Sequence, residues 1–304
     1  MAGMGCSLRV AAPLILLFLV LLVIGAIFFP ISSPHVSLPA EAIFQVGGFP
    51  VTNSMLGAWF TMLVLIGLFY AATRHMKLVP SGIQNLVEMI VETFLNFVEG
   101  VAGRENGRRF FPIVATIFLF VLFNGWLALL PGFGTIGYGH EGELKGLISQ
   151  QEGFVVQAPL LRPANTDINV PLALALVSFV FVEYWGITGL GFFNYTSKFI
   201  RIGGLIRGLT NPRNLFTSLI DIFVGVLEMF SEFIRIVSFT FRLFGNMTAG
   251  EVLLIMISFL IPWVAAVPFY GLEMILGFVQ ALIFGGLTVV FATVAVAHHD
   301  TEHE

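Results

Sequence analysis

Long uncharged runs alternate with short polar breaks along the chain. Val10 to Phe29, Phe49 to Thr73, Phe110 to Leu130 and Met274 to Ala297 carry no charge, and a further run from Ile168 continues past a lone Glu183. A bilayer core of about 30 Å needs about 20 apolar residues per helix, so each run is long enough to cross. After Asn214 the chain continues to Leu260 with only Gly225, Gly245 and Gly250 as weak punctuation, which predicts one helix about 70 Å long. Pro262 and Pro268 then interrupt an apolar stretch and predict a tight turn near 262–268, joining that helix to the last run.

The segment from Ser81 to Gly100 has a different period. Gln84, Glu88, Glu92, Asn96 and Glu99 fall on one stripe, and Ile83, Leu86, Val87, Ile90, Val91, Phe94 and Val98 on the other, at helical spacing. It predicts an interfacial helix lying flat on the membrane, with an acidic face suited to a protein neighbour rather than anionic lipid. The expected fold is therefore an all-α membrane protein of about six membrane helices, ending in a long, steeply tilted helical hairpin. Residues 1–50 form an N-terminal transmembrane helix and outside loop, 51–298 the main membrane domain, and 299–304 a polar tail.

Composition agrees. Of 304 residues 57% are hydrophobic and 11% charged, far below the roughly 25% of a soluble domain. Threading six spans from a cytoplasmic N-terminus puts Arg9, Arg74, Lys77, Arg104, Arg108, Arg109, Lys198, Arg201, Arg207 and Arg213 inside, against only Lys145 and Arg162 outside. That asymmetry satisfies the positive-inside rule and assigns both termini to the cytoplasm. The first run is 20 residues long and lies well before Ala40-Glu41-Ala42, so it reads as a retained helix rather than a cleaved signal. The single cysteine, Cys6, excludes an internal disulfide.

Charge within the long helix changes the picture most. Asp221, Glu228, Glu232, Arg235, Arg242 and Glu251 all fall on it, and a charge at membrane depth costs at least about 2.5–3.5 kcal/mol. Glu228, Arg235 and Arg242 recur every seven positions and lie within about 40° of one face, while Glu251 points roughly opposite. On the last helix Glu273 and Gln280 share a face, with Glu273 expected near the level of Glu251 and Gln280 near that of Arg242. Glu183, Asp221 and Glu232 read equally well as salt-bridge or snorkelling groups. Arg242 lies too deep to snorkel and keeps its proton at any relevant pH, so it calls for an anion that its own face does not supply. His298, His299 and His303 read as a solvated end, and no phosphate loop, HExxH or nucleophile elbow is present. No metal or cofactor is expected.

SFTFRLFGNMTAGEVLL at 238–254, QALIFGGLTVVFATVAVA at 280–297 and NTDINVPLALAL at 165–176 together resemble subunit a of the F-type ATP synthase. The resemblance runs from about residue 50 to 298. It implies a stator subunit that carries ions past a rotating ring of c subunits, with the steep hairpin lying along the ring, and no catalytic site for ATP on this chain. Carried over by position, Arg242 matches the essential arginine, Asn246 and Gln280 its polar neighbours, Glu251 the carboxylate of the channel opening outside, and Glu273 its partner position. Glu228 matches an acidic position on the path to the cytoplasm. The pattern departs at Ile236, where the family often has proline, at Asn124, which stands one residue early in FNGWLALLPG, and in the extra first helix.

The resemblance implies that a proton enters one half-channel, binds a ring carboxylate, travels round in lipid and leaves by the other half-channel. The implied partners are the c-subunit ring, b-type stator subunits, the remaining ATP synthase subunits and lipid, not nucleic acid. The implied location is a bacterial inner membrane. A self-contained ion-coupled secondary transporter is the alternative, but it would show internal repeats with paired broken helices, which the sequence lacks. A passive membrane scaffold would not need acidic positions graded along one hairpin.

Overall fold

The computed structural model describes residues 39–130, 133–134, 136–145, 150–199, 212–260 and 266–297, with positions 13, 16, 17 and 20. The expected first span at 10–29 is thus described only at those four positions, and Cys6 and the tail from 298 lie outside the described residues. The elements are β1 (Ala42–Val46), β2 (Phe49–Thr52), α1 (Asn53–Thr73), α2 (Ile83–Ala102), α3 (Arg104–Leu127), β3 (Gly137–Lys145), β4 (Gln150–Pro159), α4 (Asn169–Leu190), α5 (Phe192–Phe199), α6 (Pro212–Leu260) and α7 (Ala266–Val296).

Among the described residues five helices are long and apolar enough to cross a membrane: α1, α3, α4, α6 from Ile222 onward, and α7. The amphipathic α2 is not one of them. The fold is that of an all-α membrane protein, to which two antiparallel hairpins are added. Gly47 and Gly48, at φ 59° and 86°, make the tight turn between β1 and β2, because two consecutive positive φ values suit a two-residue hairpin. The run from Phe49 therefore begins as a strand, and α1 starts only at Asn53. The second hairpin pairs Gly137–Lys145 with Gln150–Pro159 in the region between α3 and α4.

At the last turn the expectation needs correction. α6 ends at Leu260 and α7 begins at Ala266, so Pro268 lies in the first turn of α7. That position has no intrahelical partner for its amide, which is why proline is tolerated there. Helix α6 is continuous over 49 residues, about 70 Å, more than twice a bilayer core of about 30 Å.

The described residues pack as two compact units. One comprises those within 1–63, 122–167 and 245–279; the other comprises those within 64–121, 168–244 and 280–304. The second has an aromatic and aliphatic core. Phe94 of α2 stacks on Phe118 of α3 at 4.1 Å, and Phe110 lies 4.5 Å from Trp185 of α4. Gly285 of α7 lets Phe94, Phe118 and Val114 approach closely. Val87, Phe94 and Val98 of the expected apolar stripe are buried, but Ile83 and Leu86 are exposed. Gln84, expected on the polar stripe, is buried instead: its amide donates to the Lys77 carbonyl and its oxygen accepts from the Lys77 amide, both at 3.0 Å. This side chain ties down the segment that leads into α2.

Candidate functional site

The first unit is distinctive for what it buries. Asn53, Ser54, Thr61, Asn124, Asn165 and Asp167 are all buried there, together with Arg162, Thr248 and Glu273. Buried polar groups survive only when hydrogen-bonded, and most of these are. Ser54 donates to Asp167 at 2.6 Å, Asn124 donates to Thr61 at 3.0 Å, and the Asn165 amide donates to Asn124 Oδ1 at 3.1 Å. Asn124 thus ties α1 to the turn before α4.

Glu251 and Glu273 both belong to this unit. Glu273, on α7, is 7% exposed, and its carboxylate lies against Gly250 of α6 so closely that a Cβ on Gly250 would overlap it. Its Oε2 has no hydrogen-bond partner among the described residues. Glu251, next along α6, is half-buried and pairs with Arg162, whose Nη2 donates to Oε2 at 3.2 Å. That partner was missed in the sequence, where Arg162 counts only as a basic residue of an outside loop. Its short distance from NTDIN was the one available signal. Asn246 is exposed on α6.

The other unit holds the remaining candidates. Arg242 is partly exposed, and its contacts are with its own helix: Nη2 donates to Ser238 Oγ at 3.4 Å, and the guanidinium stands 5.8 Å from the Phe239 ring centre. Among the described residues it forms no ion pair. Arg235 behaves differently, since it bridges to Glu232 at 2.6 Å and lies 3.7 Å over the Phe291 ring, so both members of that pair read as structural. Glu183 accepts a hydrogen bond from Tyr195, whose phenol is pushed up by burial and then by the Glu183 carboxylate. Glu228 is half-buried, with Oε2 lacking a partner among the described residues, and Gln280 is 7% exposed. The side chain of Asp221 lies outside the described residues.

Three features now agree: five apolar spans among the described residues, one of them part of a helix far longer than a bilayer is thick, and ionisable groups along that helix. A family model described as ATP synthase A chain matches residues 55–293. Similar proteins include the ATP synthase subunit a of Gloeobacter violaceus, 33% identical over 263 residues, covering 86% of this chain and 90% of that protein. The ATP synthase subunit a of Moorella thermoacetica is 27% identical over 261 residues, covering 86% and 98%. That of Helicobacter pylori strain P12 is 29% identical over 258 residues, covering 84% and 96%. By the match to most of its length, the chain belongs to the ATP synthase A chain family.

Proposed function

We propose that this chain provides two water-accessible half-channels to the carboxylates of a c-subunit ring, with Arg242 standing between them. As a family member it is the proton-translocating stator subunit of the F-type ATP synthase, a multi-pass membrane protein that assembles with other subunits of that enzyme. ATP chemistry resides on those other subunits. The b-type stator subunits hold it against rotation, and both termini face the cytoplasm of a bacterial cell. Residues 51–298 are the working membrane domain, preceded by the N-terminal helix and followed by the polar tail.

The observation that carries this reading is the state of Arg242. A fixed cation in an apolar helix is expensive, and among the described residues this one has as polar and ring partners a hydroxyl and a phenyl ring of its own helix. A ring carboxylate passing along α6 supplies the missing anion. Glu251 and Glu273 serve the path open to the outside and Glu228 the path to the cytoplasm, with Asn246 and Gln280 as polar neighbours of the arginine. Buried polar atoms without a partner among the described residues, Glu273 Oε2 and Thr248 Oγ1 among them, suit a hydrated path. The length of α6 suits a steep tilt along the curved side of a ring. Protons driven through these paths gain about 2.3 kcal/mol per charge per 100 mV. The test is to purify the assembled complex and reconstitute it in liposomes. A ring of small hairpin subunits should co-purify, and ATP should drive proton pumping. A chain that moves protons alone, without such a ring, would instead be a self-contained transporter.

A further inference from the structure

Arg162 lies in the loop between β4 and α4, yet it is only 5% exposed. Its backbone is seated from several directions. The amide faces the Asn53 carbonyl at 3.5 Å, and the carbonyl oxygen occupies the place a Cβ would take on Gly57 of α1. Two residues on, Ala164 to Thr166 form a buried 3-10 turn, anchored by Asn124 through the Asn165 amide. From this fixed base the guanidinium reaches across to α6. Nη2 donates to Glu251 Oε2 at 3.2 Å and Nη1 to the Pro39 carbonyl at 3.2 Å, so the planar fork is held from two sides. The arginine side chain is 6% exposed and that of Glu251 24%, which makes the carboxylate the wetter member of the pair.

We infer that Arg162 is a positioning residue of the proton pathway, a permanent cation that clamps the Glu251 carboxylate in one orientation where the outer path meets α6. This rests on the reading of Glu251 as a member of that path. Arginine keeps its charge at any relevant pH and offers a rigid donor fork, so it can hold a carboxylate through repeated turnovers without itself exchanging protons. Removing one partner of a buried pair leaves the other charge uncompensated, so loss of Arg162 acts on flux through Glu251.

The test is ATP-driven proton pumping by the whole reconstituted enzyme carrying Arg162→Gln, Arg162→Lys, Glu251→Gln, or Arg162→Gln with Glu251→Gln, each normalised to the amount of intact complex. The expected result is a loss of about tenfold or more for Arg162→Gln, partial recovery for Arg162→Lys, and less than about a twofold further loss when Arg162→Gln is added to Glu251→Gln. A full, multiplicative loss in the double variant would reduce Arg162 to a structural role and overturn the inference. So would wild-type pumping by Arg162→Gln while Glu251→Gln is slow. If Arg162→Gln does not assemble, Arg162→Lys decides: intermediate pumping supports the clamp, and wild-type pumping overturns it. Wild-type pumping by Glu251→Gln would instead remove Glu251 from the path, and the clamp with it.

Discussion

The carboxylate of Glu273 rests on the bare Cα of Gly250, one residue before Glu251 on the neighbouring arm of the hairpin. A glycine here costs helix stability of about 1 kcal/mol relative to alanine, which its place within α6 would otherwise argue against. What the missing side chain provides is room for a buried acid. Gly250→Ala should therefore displace the Glu273 side chain, a flexible group that can yield, and change stability by less than about 1 kcal/mol. Proton pumping should fall severely. Thermal unfolding of the purified complex beside ATP-driven pumping separates the two effects; unchanged pumping would mean that the position of Glu273 does not matter.

If Glu251 and Glu273 serve one path, replacing both by Gln should slow pumping severely, and either single replacement should do less. Rates of pumping in liposomes, compared across the three variants, check this. Normal flux in the double variant would take both residues out of the pathway.

The polar core of the first unit gives a prediction about stability. Asn124 donates to Thr61 and accepts from the Asn165 amide, all three residues being buried. Asn124→Ala leaves that amide without its acceptor, a loss of about 1–3 kcal/mol. It should lower the melting temperature of the purified complex, whereas Asn246→Ala, at an exposed position, should not. Equal effects would show that the Asn124 bridge contributes little.

These tests also mark where sequence stops speaking. The five spans among the described residues were legible because about 20 uncharged residues in a row have few other uses, and α6 was legible because nothing along it breaks a helix. The two hairpins were not. β2 is apolar enough to merge with α1 in any reading by hydrophobicity, and β3 mixes Gly, Glu and His without the strict alternation that marks a strand. Gln84 was misplaced because helical spacing assigns a face but cannot foresee that a glutamine will bond back to Lys77. The burial of Arg162 was illegible for a related reason. Charge counting assumes that basic residues between spans are solvated, and only the packing of the 160–167 segment against α1 and Asn124 turns this one inward. Among the site residues, periodicity could put Glu273 on a face of α7, yet its seat on Gly250 depends on how two helices meet.

Arg242 carries the sharpest prediction, because its role as a fixed charge between two paths has two separable consequences. The first is coupling. Without the cation, a ring carboxylate loses the charge that favours its deprotonation at the subunit interface, so Arg242→Ala should abolish ATP-driven pumping. The second is insulation. With nothing to bar a direct hop between the two paths, passive proton permeability under an imposed potential should persist or rise. Arg242→Lys retains a charge but not the planar fork, so coupled pumping should remain badly impaired. Ser238 and Phe239, the contacts of Arg242 on its own helix, supply no compensating charge, so the fold should tolerate Arg242→Ala, and the complex should assemble in normal amounts. Measuring pumping and passive leak on the same liposomes distinguishes the outcomes. Pumping at the wild-type rate in Arg242→Ala would make the arginine a structural anchor and leave the two-path mechanism without its divider.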